Sequence, residues 1–248
     1  MSRPPSPGRA AAGRLDRYTP GVTRDRPPPL SDAAGDYLKA IWVLSEDGPA
    51  STNAIAKALD LTAASVSGML ARLAEAGLID HVRYYGATLT DAGRREALRL
   101  VRRHRLVETF MIRELGYALD EVHDEAEALE HTISDRFAER LAGLLDDPSH
   151  DPHGDPIPRA DGAVPPTPDA DLHAVADGGA LRVARLKSQD PTVLAALLAR
   201  GVGPGATVRV GTPGDAERTW RLEVDGRPCD LPDALARTVR GDVVADGA

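Results

Sequence analysis

Cysteine occurs once in the 248 residues, at Cys229. A single thiol excludes an intramolecular disulfide framework and every metal site built from several cysteines. Aromatic residues are almost as scarce: Trp42, Trp220, Phe110, Phe137 and five tyrosines make up 4% of the chain. Any core is therefore assembled from Leu, Val, Ile and Ala, a stock that suits helical domains and small barrels equally. No apolar run of about 18 residues is present, and the arginine-bearing start lacks the hydrophobic stretch of a secretion signal. The expectation is a cytoplasmic protein with no membrane partner. Hydrophobic residues amount to 42%, enough for one large core or two to three small ones.

Net positive charge is missing as well. A formal charge of -8 taken alone argues against a nucleic-acid partner. Its distribution weakens that objection: His81 to Arg105 holds seven arginines against two acidic residues, whereas the segment after Asp120 is rich in Asp and Glu. One basic face on an acidic protein is enough to meet a phosphate backbone, because attraction follows local potential.

Residues 1–30, rich in proline and arginine with no sustained apolar period, read as a flexible arm. From Ser31, Tyr37, Leu38, Ile41, Trp42 and Leu44 recur at helical spacing up to Asp47-Gly48. Ser51 or Thr52 caps a second helix, and Thr62 caps a third that carries Val66, Met69, Leu70 and Leu73 and stops at Gly77. A strand at Leu78-Ile79, a turn at Tyr84-Tyr85-Gly86 and a return strand at Ala87 to Thr90 follow. The order is that of a winged helix-turn-helix, expected over 31–95; a plain helical bundle with a hairpin shares the same periodicity. A long helix over Asp91–Leu115 and another over Glu121–Leu145 form a helical domain, 96–147, whose apolar stripe serves either a core or a subunit interface. The Pro-, Asp- and Gly-rich stretch 148–179 reads as a linker with one ordered turn at Gly154–Pro158. Short apolar runs between Leu181 and Val243 read as a small SH3-like β-barrel over 180–248.

Two segments carry candidate chemistry. Thr62, Ser65, Ser67 and Gly68 lie on or near the polar side of the third helix, where such a helix approaches bases or phosphates in the major groove. Arg83, Tyr84 and Tyr85 make a wing contact plausible on chemical grounds, and Arg72 either stabilises the domain or holds a phosphate. Capping and solvation explain the same small polar residues. The second segment runs from His123 through Glu127 and Glu130 to His131, residues spaced so that all lie along one broad helix face. His104 and Glu108, four apart on the preceding helix, repeat the theme. Imidazole and carboxylate without sulfur suit divalent manganese, iron, cobalt, nickel or zinc. Solvated acidic surface with edge-packed histidines is the competing reading, and it is stronger still for Asp36, near a helix start. Histidines and carboxylates around a metal also activate water in hydrolases, but no open coordination position, placed acid or base, or substrate pocket is signalled here.

The succession Asp36-Tyr-Leu, Thr62-Ala-Ala-Ser-Val-Ser67, Leu89-Thr-Asp-Ala-Gly93, Arg103-His-Arg-Leu, His123-Asp-Glu-Ala and Glu130-His131 resembles the diphtheria toxin repressor and manganese transport regulator family. The resemblance runs from about Ser31 to the end, with Gly154-Asp-Pro-Ile-Pro158 similar to the family's interdomain segment and Arg200-Gly-Val-Gly-Pro-Gly205 similar to a turn of its third domain. It implies a homodimeric repressor that binds palindromic double-stranded operator DNA when loaded with metal, with no organic cofactor. It also implies a primary site of Asp36, Glu127, Glu130 and His131, and an ancillary site of His104, Glu108 and His123 completed by Asp190. Carboxylates at 36 and 127, where the iron-responsive branch has methionine and cysteine, imply Mn2+ as the effector with Fe2+ as the alternative. Three departures stand out. Lys39 replaces a glutamate of the two-domain manganese regulators, Val193 replaces a third-domain glutamine, and Gly68 replaces a DNA-reading glutamine.

Overall fold

The computed structural model describes residues 30–45, 48–82, 85–211 and 219–244. The expected arm falls outside them except for Leu30, and so do Arg83 and Tyr84 of the wing.

Side-chain caps start the first helices. Ser31 accepts the Ala34 amide at the head of α1 (Asp32–Leu44), which buries Ala34, Tyr37, Leu38 and Ile41 along one stripe. Ser51 starts α2 (Thr52–Ala58), and Thr62 starts α3 (Ala63–Glu75), with Val66, Leu70 and Leu73 inward. Strands β1 (Ile79–Val82) and β2 (Gly86–Leu89) pair antiparallel with Ile79 opposite Leu89, and the Ala50 backbone bridges to Ala87. A helix-turn-helix followed by a wing is therefore present, built around the Leu38, Ile41, Ile55, Val66 and Leu70 core.

Helix α4 (Asp91–Leu115) begins where the Thr90 hydroxyl accepts the Gly93 amide, and ends at Gly116 in the left-handed region. The single helix expected over Glu121–Leu145 is two: α5 (Val122–Glu130) and α6 (Asp135–Leu144). Ser134 accepts the Phe137 amide and restarts the helix after a break. The apolar spacing runs through the break because both pieces pack on α4. Val122, Ala126, Ala138, Leu141 and Ala142 join Leu106, Val107 and Met111 in one core.

The stretch read as a linker is partly built in. Asp151, His153, Asp155 and Ile157 are buried, Arg105 donates to the Pro156 carbonyl at 2.5 Å, and the Leu186 amide donates to the His153 carbonyl at 2.9 Å. Gly154 has φ +89°, and a Cβ there would lie 1.8 Å from the Ala184 carbonyl oxygen, so the close approach requires glycine.

The remaining elements are β3 (Ala170–Asp171), a 3-10 turn (Leu172–Ala174), β4 (Ala180–Leu186), α7 (Pro191–Leu198), β5 (Thr207–Val210), β6 (Thr219–Val224), β7 (Arg227–Pro232), α8 (Asp233–Ala236) and β8 (Val239–Val244). The strands form one antiparallel sheet in the order β3-β8-β4-β5-β6-β7. This corrects the expected SH3-like β-barrel: the sheet is open, because among the described residues the edge strands β3 and β7 do not pair with each other. Alternating burial reports one apolar face per strand and is silent on whether the edges meet. Here β3 contributes only two residues, and the apolar face is covered by Leu172, by Leu194 and Leu197 of α7 and by Ala236 of α8 rather than by further strands.

Candidate metal centre

Three elements converge on the site. Asp36 and Lys39 come from one face of α1, His104 and Glu108 from one face of α4, and His123, Glu127 and Glu130 from α5, with His131 at its C-terminal end. Gly35 lets α1 approach: a Cβ at that position would meet His131 Cε1 and Leu100 Cδ2 at 3.2 Å each.

His131 Nε2 lies 2.7 Å from Asp36 Oδ1 and 3.6 Å from Glu130 Oε1. Glu130 is fully buried and is shared: its Oε2 is 2.6 Å from His104 Nδ1, and Lys39 Nζ donates to both its oxygens at 2.8 and 3.0 Å and to Glu127 Oε1 at 2.5 Å. On the other side of the His104 ring, Nε2 is 3.0 Å from Glu108 Oε1 and 3.2 Å from His123 Nδ1, and His123 Nε2 approaches Glu127 Oε1 at 3.6 Å. The result is a continuous run of donor atoms from Asp36 to Glu108. Ligand atoms lie within 4.8 Å of one another in three of its trios: Asp36, Glu130 and His131; His104, Glu127 and Glu130; and His104, Glu108 and His123.

The charges respond to this crowding. Burial works against a charged His104 ring, but the Glu108 and Glu130 carboxylates together outweigh it and push the pKa up to about 9. Burial raises the Glu108 pKa in turn, and the charge and hydrogen bonding of His104 together with His123 and His153 more than reverse this, holding the carboxyl well below the usual carboxylate range. The same competition, decided by Lys39, lowers Glu127, whereas burial dominates at Asp36 and raises it.

A fourth trio, Glu108, Asp151 and His153, lies wholly in the interior. His153 Nδ1 faces Glu108 Oε2 at 3.6 Å, and its Nε2 donates to the Leu119 carbonyl. Glu108 Oε2 and His153 Nδ1 are buried and have no hydrogen-bond partner, and neither has Asp151 Oδ2, which the Arg105 guanidinium approaches only to 3.6 Å. Unpartnered buried donors and acceptors on imidazole and carboxylate are what a divalent cation satisfies, so the residues fit a metal. Asp151 and His153 were not among the residues expected at the site. The only signal was a pair of histidines in His150-Asp-Pro-His153, directly before the Gly154–Pro158 turn.

Of the expected ligands, Asp190 stays apart. Its carboxylate accepts the Thr192 amide and caps α7, and it belongs to none of the four trios. Val193 packs against the core of the sheet unit. On α3, Thr62, Ser65, Ser67, Gly68 and Arg72 are all exposed. Thr62 caps the helix and shares a hydrogen bond with Ser65, the Ser67 hydroxyl donates to the Ala63 carbonyl, and a Cβ at Gly68 would meet nothing within 4 Å. Tyr85 is 78% exposed at the wing tip, beside the undescribed Arg83 and Tyr84.

Family models match in three consecutive blocks. Residues 29–87 match the N-terminal DNA binding domain of the iron dependent repressors, 90–159 their metal binding and dimerisation domain, and 171–242 the FeoA domain. The chain is 30% identical to the diphtheria toxin repressor of Corynebacterium diphtheriae over 223 residues, covering 85% of this chain and 97% of that one. It is 33% identical to the iron-dependent repressor IdeR of Mycobacterium tuberculosis over 167 residues, 66% of this chain and 70% of the relative. Among solved structures, a manganese-dependent transcriptional repressor in complex with manganese superposes with a TM-score of 0.79 at 42% identity, covering 85% of this chain and all of the other. No single described helix is long and apolar enough to cross a membrane.

Proposed function

The chain belongs to the diphtheria toxin repressor family of metal-dependent transcriptional repressors, and we propose that it is a manganese-activated repressor acting as a homodimer on palindromic operators of metal-homeostasis genes. One observation carries the reading: Asp36, from the DNA-binding half, shares a cluster with Glu130 and His131 from the helical half. A divalent cation, when bound, supplies a positive charge that Asp36, Glu127, Glu130 and His131 hold in common. These residues then tie α1 to α5 and favour one placement of the DNA-binding half. The shift is limited to the difference in metal affinity between the two placements. Around the second position we assign His104, Glu108 and His123, with Asp151 and His153 extending the set from the interdomain segment.

The division into 31–95 for DNA binding, 96–147 for metal binding and dimerisation, a 148–179 connection and a third unit to the C-terminus is the working frame for this function. Leu115, Leu129, Phe137 and Leu144 are exposed apolar side chains on α4, α5 and α6 and supply the material of a subunit interface. Operator DNA is met by α3 and its cap through Thr62, Ser65, Ser67, Gly68 and Arg72, with Tyr85 and, outside the described residues, Arg83 and Tyr84 as further contacts, and a DNA target implies the cytoplasm. Membership of a family of DNA-binding repressors sets the hydrolase reading aside.

Oxygen and imidazole donors without sulfur suit several divalent cations, and manganese is preferred among them because positions 36 and 127 carry carboxylates where the iron-responsive branch has methionine and cysteine. A 42% identical repressor described as manganese-dependent supports the choice. Ferrous iron is the competitor, since two of the matching family models and the relative IdeR carry iron in their names. Anaerobic titration with buffered free Mn2+ and Fe2+, read by binding to promoter fragments of the source genome, tests the reading. We expect metal-dependent binding of an even number of subunits per duplex, with Mn2+ the stronger activator at matched availability. Equal or stronger activation by Fe2+ overturns the manganese assignment, and metal-independent binding overturns the switch.

A further inference from the structure

The chain has three lysines, Lys39, Lys57 and Lys187, against 27 arginines, the remainder of its 30 basic residues. One of those three sits inside the metal cluster. Lys39 follows Asp36 by three residues, so both project from the same face of α1 toward α5. Its Nζ donates to Glu127 Oε1 at 2.5 Å and to Glu130 Oε1 and Oε2 at 2.8 and 3.0 Å, using all three ammonium donors on two carboxylates.

We infer that the Lys39 ammonium is a tethered occupant of the primary metal position, so that metal enters by exchanging one cation for another and Lys39 sets the metal concentration at which the protein responds. This rests on the metal-site reading above and deepens it.

Without a counter-charge, Glu130, fully buried, and Glu127 beside it would face each other as carboxylates, a costly arrangement in a low-dielectric interior. Lys39 removes that cost while the metal is away. The oxygens it holds are those that Glu127 and Glu130 would offer to a metal, and an ammonium has no lone pair with which to join the coordination shell. Occupation by Lys39 and by metal are therefore mutually exclusive at these atoms. The choice of lysine in an arginine-rich chain has a physical rationale. An ammonium is a compact charge on a flexible stem and can withdraw, whereas a planar guanidinium pairs bidentately with carboxylate and leaves less readily. The Lys39 side chain is 16% exposed and Glu127 is 38% exposed, so the ammonium has a route to water along the Glu127 side. Because Lys39 belongs to α1 and the glutamates to α5, the same contact also links the two helices before metal arrives.

The test compares the full-length wild-type chain with Lys39→Met. Calorimetric titration with Mn2+ should show affinity tightened by about tenfold or more in Lys39→Met, the scale on which groups around a metal ligand move affinity. The metal-free variant should melt below the wild type. In parallel, nitrogen-15 spectra of the lysine ammonium groups report occupation directly. Metal-free wild type should give a Lys39 ammonium signal protected from solvent exchange, assigned because it persists in both Lys57→Arg and Lys187→Arg, and saturating Zn2+, which is diamagnetic, should abolish it. If Lys39→Met does not fold, the wild-type spectra decide alone. A wild-type chain that binds neither Mn2+ nor Zn2+ overturns both this inference and the reading beneath it. Metal binding that Lys39→Met leaves unchanged or weakens, or an ammonium signal that survives Zn2+ saturation, overturns this inference alone.

Discussion

His131 Nε2 lies 2.7 Å from Asp36 Oδ1, although 95 residues separate the two in sequence. The contact joins the first turns of α1 to the C-terminal end of α5, so a change at either residue acts on the relation between the DNA-binding and helical halves. We expect Asp36→Ala, Glu127→Ala and His131→Ala each to weaken Mn2+ binding by about 10–100-fold or more, judged from what even outer groups contribute. Asp36→Ala should damage the coupling of metal to DNA most, since it alone removes the α1 side of the junction. Calorimetry and operator binding on the same preparations check this. A variant trio that stays folded, with parent metal affinity and parent DNA response, would sink the assignment. His150→Ala is a suitable control, because among the described residues that ring bonds to Ser149 and Thr167 and belongs to none of the four trios.

The pH dependence follows from His104. Its folded pKa, pushed up to about 9, stands above the roughly 6.5 of an unfolded histidine. Its protonation therefore stabilises the metal-free fold fully below about pH 6.5, and that stabilisation is lost as pH climbs through about 9. Asp151, raised by burial and then by Asp155 and Glu108 to about 7, acts in the same direction from the ordinary carboxylate range up to neutrality. Metal affinity runs the other way, because an imidazole nitrogen must shed its proton before it ligates. Chelator-treated protein should melt lower at pH 9 than at pH 6.5, while Mn2+ binding tightens over that interval and releases protons. A metal-free melting temperature that rises with pH contradicts the electrostatics described here.

Much of this arrangement was legible in sequence, and the omissions have physical causes. The cap residues Ser31, Ser51, Thr62 and Thr90 act locally, so the helix starts were readable. The four-residue spacing of His104 and Glu108 survives folding within one trio, and His123, Glu127 and His131, spaced alike, each join one of three trios along the same run of ligand atoms. What did not read through was pairing across distance. The break at Ser134 was hidden because α5 and α6 keep one apolar stripe toward α4. Sheet closure depends on edges that never appear in a local pattern, so an open sheet was read as a barrel. Asp151 and His153 look like linker polarity, and only the approach of α4 and β4 makes them interior. His173 likewise sits in the 3-10 turn of the sheet unit, between Asp171 and Asp233, rather than in a free connection.

Recognition of DNA should separate into position and specificity on α3. Arg72→Ala is expected to weaken binding about equally on all sequences and to lower the salt dependence by about one counterion, the signature of a phosphate contact. Gly68 faces open space, so Gly68→Gln should fold normally and, if α3 enters the major groove, change which operators are preferred. Salt titrations and a randomised-site selection test both. Unchanged site preference in Gly68→Gln, with wild-type stability, would remove that position from base reading.

The segment 151–157 is held from both sides, and Gly154 is its tightest point. Toward the helices, Arg105 donates to the Pro156 carbonyl and pairs with Asp151 and Asp155; toward the sheet, the Leu186 amide meets the His153 carbonyl and Arg185 pairs with Asp155. Gly154→Ala puts a methyl 1.8 Å from the Ala184 carbonyl oxygen on a backbone with φ +89°, so the loop must move away from β4. His153 is its neighbour, and any such shift changes the 3.6 Å approach of Nδ1 to Glu108 Oε2. We expect a loss of about 1–3 kcal/mol, with the melting temperature lower by several degrees. Metal binding at the Glu108 end should weaken while the Asp36 end is little affected. Gly162→Ala separates strain from collision, since it shares a positive φ of +85° but meets only Leu98 Cδ1 at 3.9 Å. It should cost less stability and leave metal stoichiometry intact. Equal losses in the two variants would mean that backbone strain alone, and not the contact with β4, determines how the segment is held.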